Sequence, residues 1–234
     1  MLLRHYKLKE ISPQWLISFF SDNVTLCDEQ NRDLKVIINV DIKTERKKIH
    51  KMNTATQNLE NDHVYILRLT EVMEKMVLKF ATDLSDMELM VKLIQQYADG
   101  FHHAKEENLL FPLMLEKGFS NEQGPISVML QDHAQGRNFV KGMVAEITRY
   151  KAGDDSVLPE LYRNMQGYVD LLRAHIGKEN NVLFRMADRV LSPAEQEHLL
   201  SEFATMEEKN FGKGKVQEFI TEIEGLEVKI VTSK

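Results

Sequence analysis

Between Thr54 and Leu191 the sequence spaces its apolar residues at threes and fours through four long, well-punctuated stretches, the period of an amphipathic helix. The first runs over about 54–82, with Leu59, Ile66, Leu67, Met73, Met76 and Val77 recurring along it. "SDME" (85–88) has the form of a capping box, Ser85 taking an orphan N–H and Glu88 reaching back; the helix it opens should run to Gly118. "GPIS" (124–127) sets Pro125 in the first turn of a third helix, which ends near "KAGDD" (151–155). A fourth covers about 156–191, and "SPAE" (192–195) caps a fifth that reaches about Asn210. Four helices of roughly 28–36 residues with short connections predict an all-α fold, an antiparallel up-down four-helix bundle with an additional C-terminal helix. Each bundle helix would be about 40–50 Å long at ~1.5 Å per residue.

The termini read differently. "VTLCDE" (24–29) and "LKVIINVDI" (34–42) suit a hairpin, and "LEVKIVT" (226–232) alternates like a further strand, so a small β appendage is expected from the ends. The domain reading is an N-terminal extension over 1–52, a bundle over 53–191, and a C-terminal helix and tail over 192–234. A second reading makes Met52 the natural first residue and the preceding segment foreign to the bundle.

Composition excludes several functions. The chain has 234 residues and a formal net charge of −6, with no dense Lys/Arg stripe interleaved with aromatics, which argues against a nucleic-acid partner. "ERKKIHK" (45–51) is the one basic cluster and reads as a solvated segment. No apolar run approaches the ~18 residues of a membrane span, and the charged N-terminus does not read as a signal peptide. Cys27 stands alone, so neither an internal disulfide nor a thiolate cluster can form; the expected compartment is the cytoplasm. No nucleophile elbow, P-loop or dinucleotide fingerprint occurs, and no catalytic residue is assigned.

One phrase is written twice: "FHHAKEENLLF" at 101–111 and "AHIGKENNVLF" at 174–184. Superposed, they pair His102 with His175, Lys105 with Lys178, Glu106 with Glu179 and Phe111 with Phe184. Residues four apart share a helix face, so each copy sets an imidazole beside a carboxylate, a pair able to serve two cations. His103 and Glu107 are also four apart, but their stripe runs through Lys92, Gln96 and Asp99 and reads as solvent-facing; their repeat partners are Ile176 and Asn180. His102 with Glu106 is therefore the expected pair. "DHVYILR" (62–68) and "DHAQGRN" (132–138) add His63 and His133, each in an apolar stripe where an imidazole needs a partner. The order is His, His-x3-Glu, His, His-x3-Glu, one element per helix. A lone buried histidine is most often structural, but four coordinated occurrences favour a metal site built from His63, His102, Glu106, His133, His175 and Glu179. The twelve methionines read as core filler. Tyr168 is read as core in preference to a donor near the site, and Gly136 either leaves an opening or permits close packing. His5, His50 and His198 are expected at the surface.

"DHVYIL", "HHAKEENLLFP", "GPISVMLQDHAQGR" and "HIGKENNVLF" together resemble the hemerythrin-like, or HHE cation-binding, domain family over about residues 54–191. The resemblance implies a four-helix bundle holding a non-heme di-iron centre bridged by carboxylates and by oxo or hydroxo. It also implies binding or handling of dioxygen, nitric oxide, peroxide or iron. The ligands it implies are His63, His102, Glu106, His133, His175 and Glu179, with His103 or a tyrosine as an extra. Oxygen-carrying members look richer in histidine and have an aspartate in the last motif, which argues against simple oxygen carriage here. Imidazole and carboxylate without thiolate suit iron, with manganese or zinc less apt. Two irons are the expected cofactor. The partner is a small diatomic or peroxide ligand; a protein client served by iron delivery or repair, or a second copy of the chain, is the alternative.

Overall fold

Thr54 opens the first helix by accepting from the Gln57 N–H through its side chain, and it is also where the computed structural model, which describes residues 54–232, begins. Every regular element among the described residues is helical, and none of these helices is long and apolar enough to cross a membrane. The helices are α1 (Ala55–Leu78), α2 (Leu84–Leu93), α3 (Phe111–Glu116), α4 (Pro125–Lys151), α5 (Leu158–Lys178), α6 (Phe184–Val190), α7 (Pro193–Phe211) and α8 (Lys215–Thr232). α2 continues into α3 through two π-helical stretches, Ile94–His103 and Glu106–Leu110. α5 continues into α6 through a third, Glu179–Leu183. α1 packs beside α5, α5 beside α4 and α4 beside α2, and the Ile94–His103 stretch lies against α1.

The sequence expectations are met closely at α4, where Pro125 occupies the first turn, and at α7, where Ser192 and Glu195 form the reciprocal capping box. The second helix begins differently. Its N-cap is Asp83, whose Oδ1 accepts from the N–H of Ser85 at 2.9 Å and of Asp86 at 3.2 Å, while Glu88 pairs with Lys151 at 2.7 Å. A carboxylate caps better here because its charge also faces the positive end of the helix dipole. Hydrogen bonds from Ser85 and Asp86 hold the Asp83 carboxyl down to about 2. A depressed pKa stabilises the fold above the ordinary carboxylate value, and that contribution disappears as pH falls through about 2. Asp83→Asn keeps a cap without the charge. It should cost about 0.3–1 kcal/mol at neutral pH and low salt, and nothing below pH 2, measured by urea unfolding along a pH series.

The C-terminal strand expectation is overturned: residues 226–232 lie in α8. Leu226, Val228 and Ile230 alternate locally, but the longer row Phe219, Ile223, Leu226, Ile230 has helical spacing, and it is this row that is buried. Val228 and Val231 face solvent. α8 lies along α1 and α2, tied by Arg68 to Glu227 at 2.6 Å and Lys92 to Glu222 at 2.7 Å. The C-terminal region thus holds two helices where one was expected. The hairpin expected at 24–42 lies outside the described residues.

The apolar core forms two clusters. One holds Ile66, Phe101, Val140, Leu172 and Ile176; the other holds Leu59, Leu110, Phe111, Met129, Leu183 and Phe184. On α1 the boundary falls between Leu59 and Ile66, on α4 between Met129 and Val140, and on the two longer runs just after Phe101 and Ile176. A polar layer occupies that boundary.

Candidate metal centre

His63 on α1 and His133 on α4 fall at the level where the two apolar clusters part, as do the His102–Glu106 and His175–Glu179 pairs. The structure brings all six together: the four imidazoles are each 1% exposed and the two glutamates 0%. His63 Nε2 lies 2.9 Å from His102 Nε2, and His133 Nε2 lies 3.1 Å from His175 Nε2. Two ligands at right angles around a cation with metal–nitrogen bonds of about 2.1 Å would stand about 3.0 Å apart. Glu179 spans the two histidine pairs, Oε2 being 3.2 Å from His63 Nε2 and Oε1 3.1 Å from His175 Nε2. Glu106 Oε2 lies 3.7 Å from His102 Nε2 and 3.5 Å from His133 Nε2.

Each imidazole is oriented from behind through Nδ1. His63 donates to Asn180 Oδ1 at 2.8 Å and His133 to Glu107 Oε1 at 2.6 Å; His102 faces Asp62 Oδ2 at 3.4 Å and His175 faces Asp132 Oδ2 at 3.3 Å. With the Nδ1 proton turned outward, Nε2 is left to face the centre, the arrangement that metal-binding histidines need. These outer partners repeat as the sequence does: Asn180 is the counterpart of Glu107, and Asp62 and Asp132 are the residues before the lone histidines. The rings of Phe184 and Phe111, also counterparts, stack on His63 at 5.5 Å and on His133 at 6.1 Å. Of the four outer partners only Glu107 was weighed from the sequence, as a mate for His103, and it was set aside as solvent-facing; the doubled phrase and the paired "DH" carried the signal for the others.

The glutamates test whether a cation belongs here. All four of their oxygens are buried without a well-directed hydrogen bond. Burial and the neighbouring Glu179 push the Glu106 carboxyl well above the usual range. Burial would raise Glu179 too, but His175 and His63 pull it far down. Burial lowers His102 and His133; at His175 it is outweighed by Glu179 and Asp132, which lift the imidazole to about 9. Without metal, the layer holds protons where carboxylate and imidazole lone pairs converge. Unsatisfied buried acceptors are costly, and a pair of divalent cations would satisfy them together. The donor set of nitrogen and oxygen without sulfur fits iron.

One sequence expectation fails. His103 was read as solvent-facing, yet it is 5% exposed, stacked on His133 at 3.9 Å, and grouped with Glu106, His133 and His175 as one possible cation site. The other group is His63, His102, Glu106 and Glu179. The stripe was drawn at 3.6 residues per turn, but Ile94–His103 is π-helical; its wider turns rotate the register by about 100° per extra residue and turn both adjacent histidines inward. Glu106 and Glu179 each begin a π-helical stretch of five residues, so the distortion recurs in both copies. Tyr168 is buried, as expected for core, and also lines a cavity of about 230 Å³ with Gly136, Arg137, His103, His133 and His175. A Cβ on Gly136 would meet only ordinary contacts, Tyr168 Cε2 at 3.6 Å and Leu171 Cδ2 at 3.8 Å, so close helix packing does not demand a glycine there. His198 is exposed.

Residues 54–187 match the family model of the hemerythrin HHE cation binding domain. Uncharacterized protein Rv1995 of Mycobacterium tuberculosis (strain ATCC 25618 / H37Rv) is 21% identical over 178 residues, 74% of this chain and 69% of that protein. The iron-sulfur cluster repair protein YtfE of Escherichia coli O1:K1 / APEC is 33% identical over 93 residues, 37% of this chain and 40% of that protein. No solved structure gives a significant match. With a buried layer of histidines and glutamates recurring in both halves of its helical core, the chain belongs to the hemerythrin HHE cation-binding family.

Proposed function

We propose that the protein holds a carboxylate-bridged di-iron centre inside an antiparallel four-helix bundle over 53–191, and that the centre takes a small oxidant: dioxygen, nitric oxide or peroxide. His63 and His102 would hold one iron and His133 and His175 the other, with Glu106 and Glu179 between them. Bound iron supplies one-electron redox chemistry and a position for an exogenous ligand. The observation that carries the reading is the cavity beside His133 and His175, which brings a space of small-molecule size to one side of the layer.

This chain's residues do the rest. Phe111 and Phe184 wall the layer from water on one side, and Tyr168 presents a buried phenol whose proton burial holds firmly in place. Arg137, partly exposed, binds Asp99 at 2.7 Å and Glu107 at 2.8 Å and so clamps the polar rim of the cavity. The lone cysteine supports a reducing compartment, the cytoplasm, as the setting of this centre.

The test is an iron assay with an optical spectrum before and after dioxygen or nitric oxide. Two irons per chain and a new absorption on gas addition are expected. Gly136→Leu should keep both irons and lose at least about tenfold in the rate of that optical change, because the side chain fills the space that a diatomic must cross. Fewer than one iron per chain, or no optical response, ends the reading.

The similarity to an iron-sulfur cluster repair protein favours a second reading, delivery of iron to a client protein. Iron transfer to a metal-free acceptor faster than to a small chelator would select it.

A further inference from the structure

We propose that the cavity beside His133 and His175 takes an organic hydroperoxide of about ten non-hydrogen atoms, its peroxy end toward those histidines and its uncharged body along the cavity. This rests on the two-metal reading above and names the oxidant within it. Size is the first observation. Packed interiors hold few voids much larger than a water molecule, and an apolar cavity of about 150 Å³ already binds benzene. At about 230 Å³ this one has room for half as much again, several times what a diatomic or hydrogen peroxide fills. Length agrees with size. His133 and His175 close one end, while Val140 on α4 and Tyr168 on α5 line the cavity two turns away, about 10 Å along the helices at ~1.5 Å per residue. Midway, Gly136 leaves the lumen clear: a Cβ there would stand 3.6 Å from Tyr168 Cε2 and 3.8 Å from Leu171 Cδ2, side chains of the facing wall.

The walls set the chemistry of the body. Ile94, Val140, Leu171, Leu172 and the Tyr168 ring are apolar. The rim charges that reach inward are already paired: Arg137 binds Asp99 at 2.7 Å and Glu107 at 2.8 Å, and Asp132 binds Lys178. Lys141, also at the rim, is exposed to water. An anionic body would lose its hydration without gaining an open cation inside, so an uncharged one fits. Beyond the far end the core is rich in methionine: Met90, Met143 and Met165 lie one turn past Ile94, Val140 and Tyr168 and are buried in the same cluster. Unbranched thioether chains repack easily, so this end can yield to a bulkier body. Conversion of the hydroperoxide to its alcohol breaks the O–O bond, takes up two electrons, one from each ferrous ion of that reading, and two protons from water, and releases one water molecule.

Cumene hydroperoxide and its unreactive product, cumyl alcohol, are the probes. Calorimetric titration of the anaerobic ferrous protein should find one alcohol bound per chain, with a dissociation constant of about 0.1–1 mM for a ligand of ~10 atoms. Mixed with cumene hydroperoxide, the ferrous protein should change optically at least about tenfold faster than with hydrogen peroxide at equal concentration. Val140→Phe, which fills the end away from the histidines, should hold iron as before, weaken alcohol binding at least about tenfold and remove that preference. Leu171→Phe serves as the second variant should the first disturb folding. No alcohol binding by a protein that holds its iron, binding without a preference for the organic hydroperoxide, or a preference that survives both variants would overturn the proposal and leave the two-metal centre standing. Fewer than one iron per chain in the unaltered protein sinks the underlying reading as well.

Discussion

Ferrous iron added anaerobically to metal-free protein, at a thousandfold excess over its dissociation constant, is expected to raise the thermal midpoint by roughly 8–16 °C for each iron bound. The figure follows from about 4 kcal/mol of linkage at that excess and about 2–4 °C per kcal/mol for a domain of this size. The same physics predicts a reversal in sign. Glu106 and Glu179 are fully buried and their oxygens lack hydrogen bonds, so they burden the metal-free fold. Replacing both by methionine, similar in length and apolar, should leave the metal-free protein as stable as before or more so by about 1–4 kcal/mol. The double variant should then gain nothing from iron. Residues kept at a cost to the empty fold and needed only when a cation is present have a ligand's signature. Calorimetry of both proteins, with and without iron, reads all four values. A double variant that still responds to iron, or that collapses without it, would remove these carboxylates from the centre.

How much of this was written in the sequence depends on the period of each element. α4 and α7 were legible to within a residue or two, because proline, serine and glutamate act locally at helix starts. The layer of six residues was legible for a different reason: the doubled phrase and the paired "DH" say the same thing twice. His103 was not legible, since a 3.6-residue period cannot anticipate an i→i+5 turn, and nothing in "IQQYADGFHH" announces one. α8 was lost to a window too short to see Phe219 and Ile223 behind "LEVKIVT". Asp83 displaced Ser85 as a cap because the helix starts at Leu84, so the N–H groups of Ser85 and Asp86 are themselves among those left to be capped, and Asp83 takes both.

The repeat also sets up a comparison in which the two halves should part company. Asp62 and Asp132 do the same work for the centre, facing the Nδ1 of His102 at 3.4 Å and of His175 at 3.3 Å. Each also binds the lysine of the doubled phrase, Lys105 for Asp62 at 2.9 Å and Lys178 for Asp132. The lysines differ. Lys105 is 1% exposed, its ammonium lying 3.7 Å from the Phe101 ring centroid and 3.1 Å from Asn58 Oδ1; the Lys178 side chain is 40% exposed. Asp132→Ala leaves an ammonium that turns to water, at about 0–1 kcal/mol for the lost ion pair. Asp62→Ala strands a buried charge and should cost about 3–5 kcal/mol, roughly a 10 °C fall in midpoint. Loss of the imidazole acceptor is common to both and cancels in the difference. Adding Lys105→Met to Asp62→Ala should restore most of that stability, since no charge then remains to be neutralised. Iron affinity should fall about 10–100-fold in both single variants and should not return with Lys105→Met, because the methionine repairs the fold without returning an acceptor to His102. Equal stability losses in the two aspartate variants would mean that Lys105 reaches water once its partner is gone. A return of iron affinity with stability would mean that Asp62 serves the lysine and not the histidine.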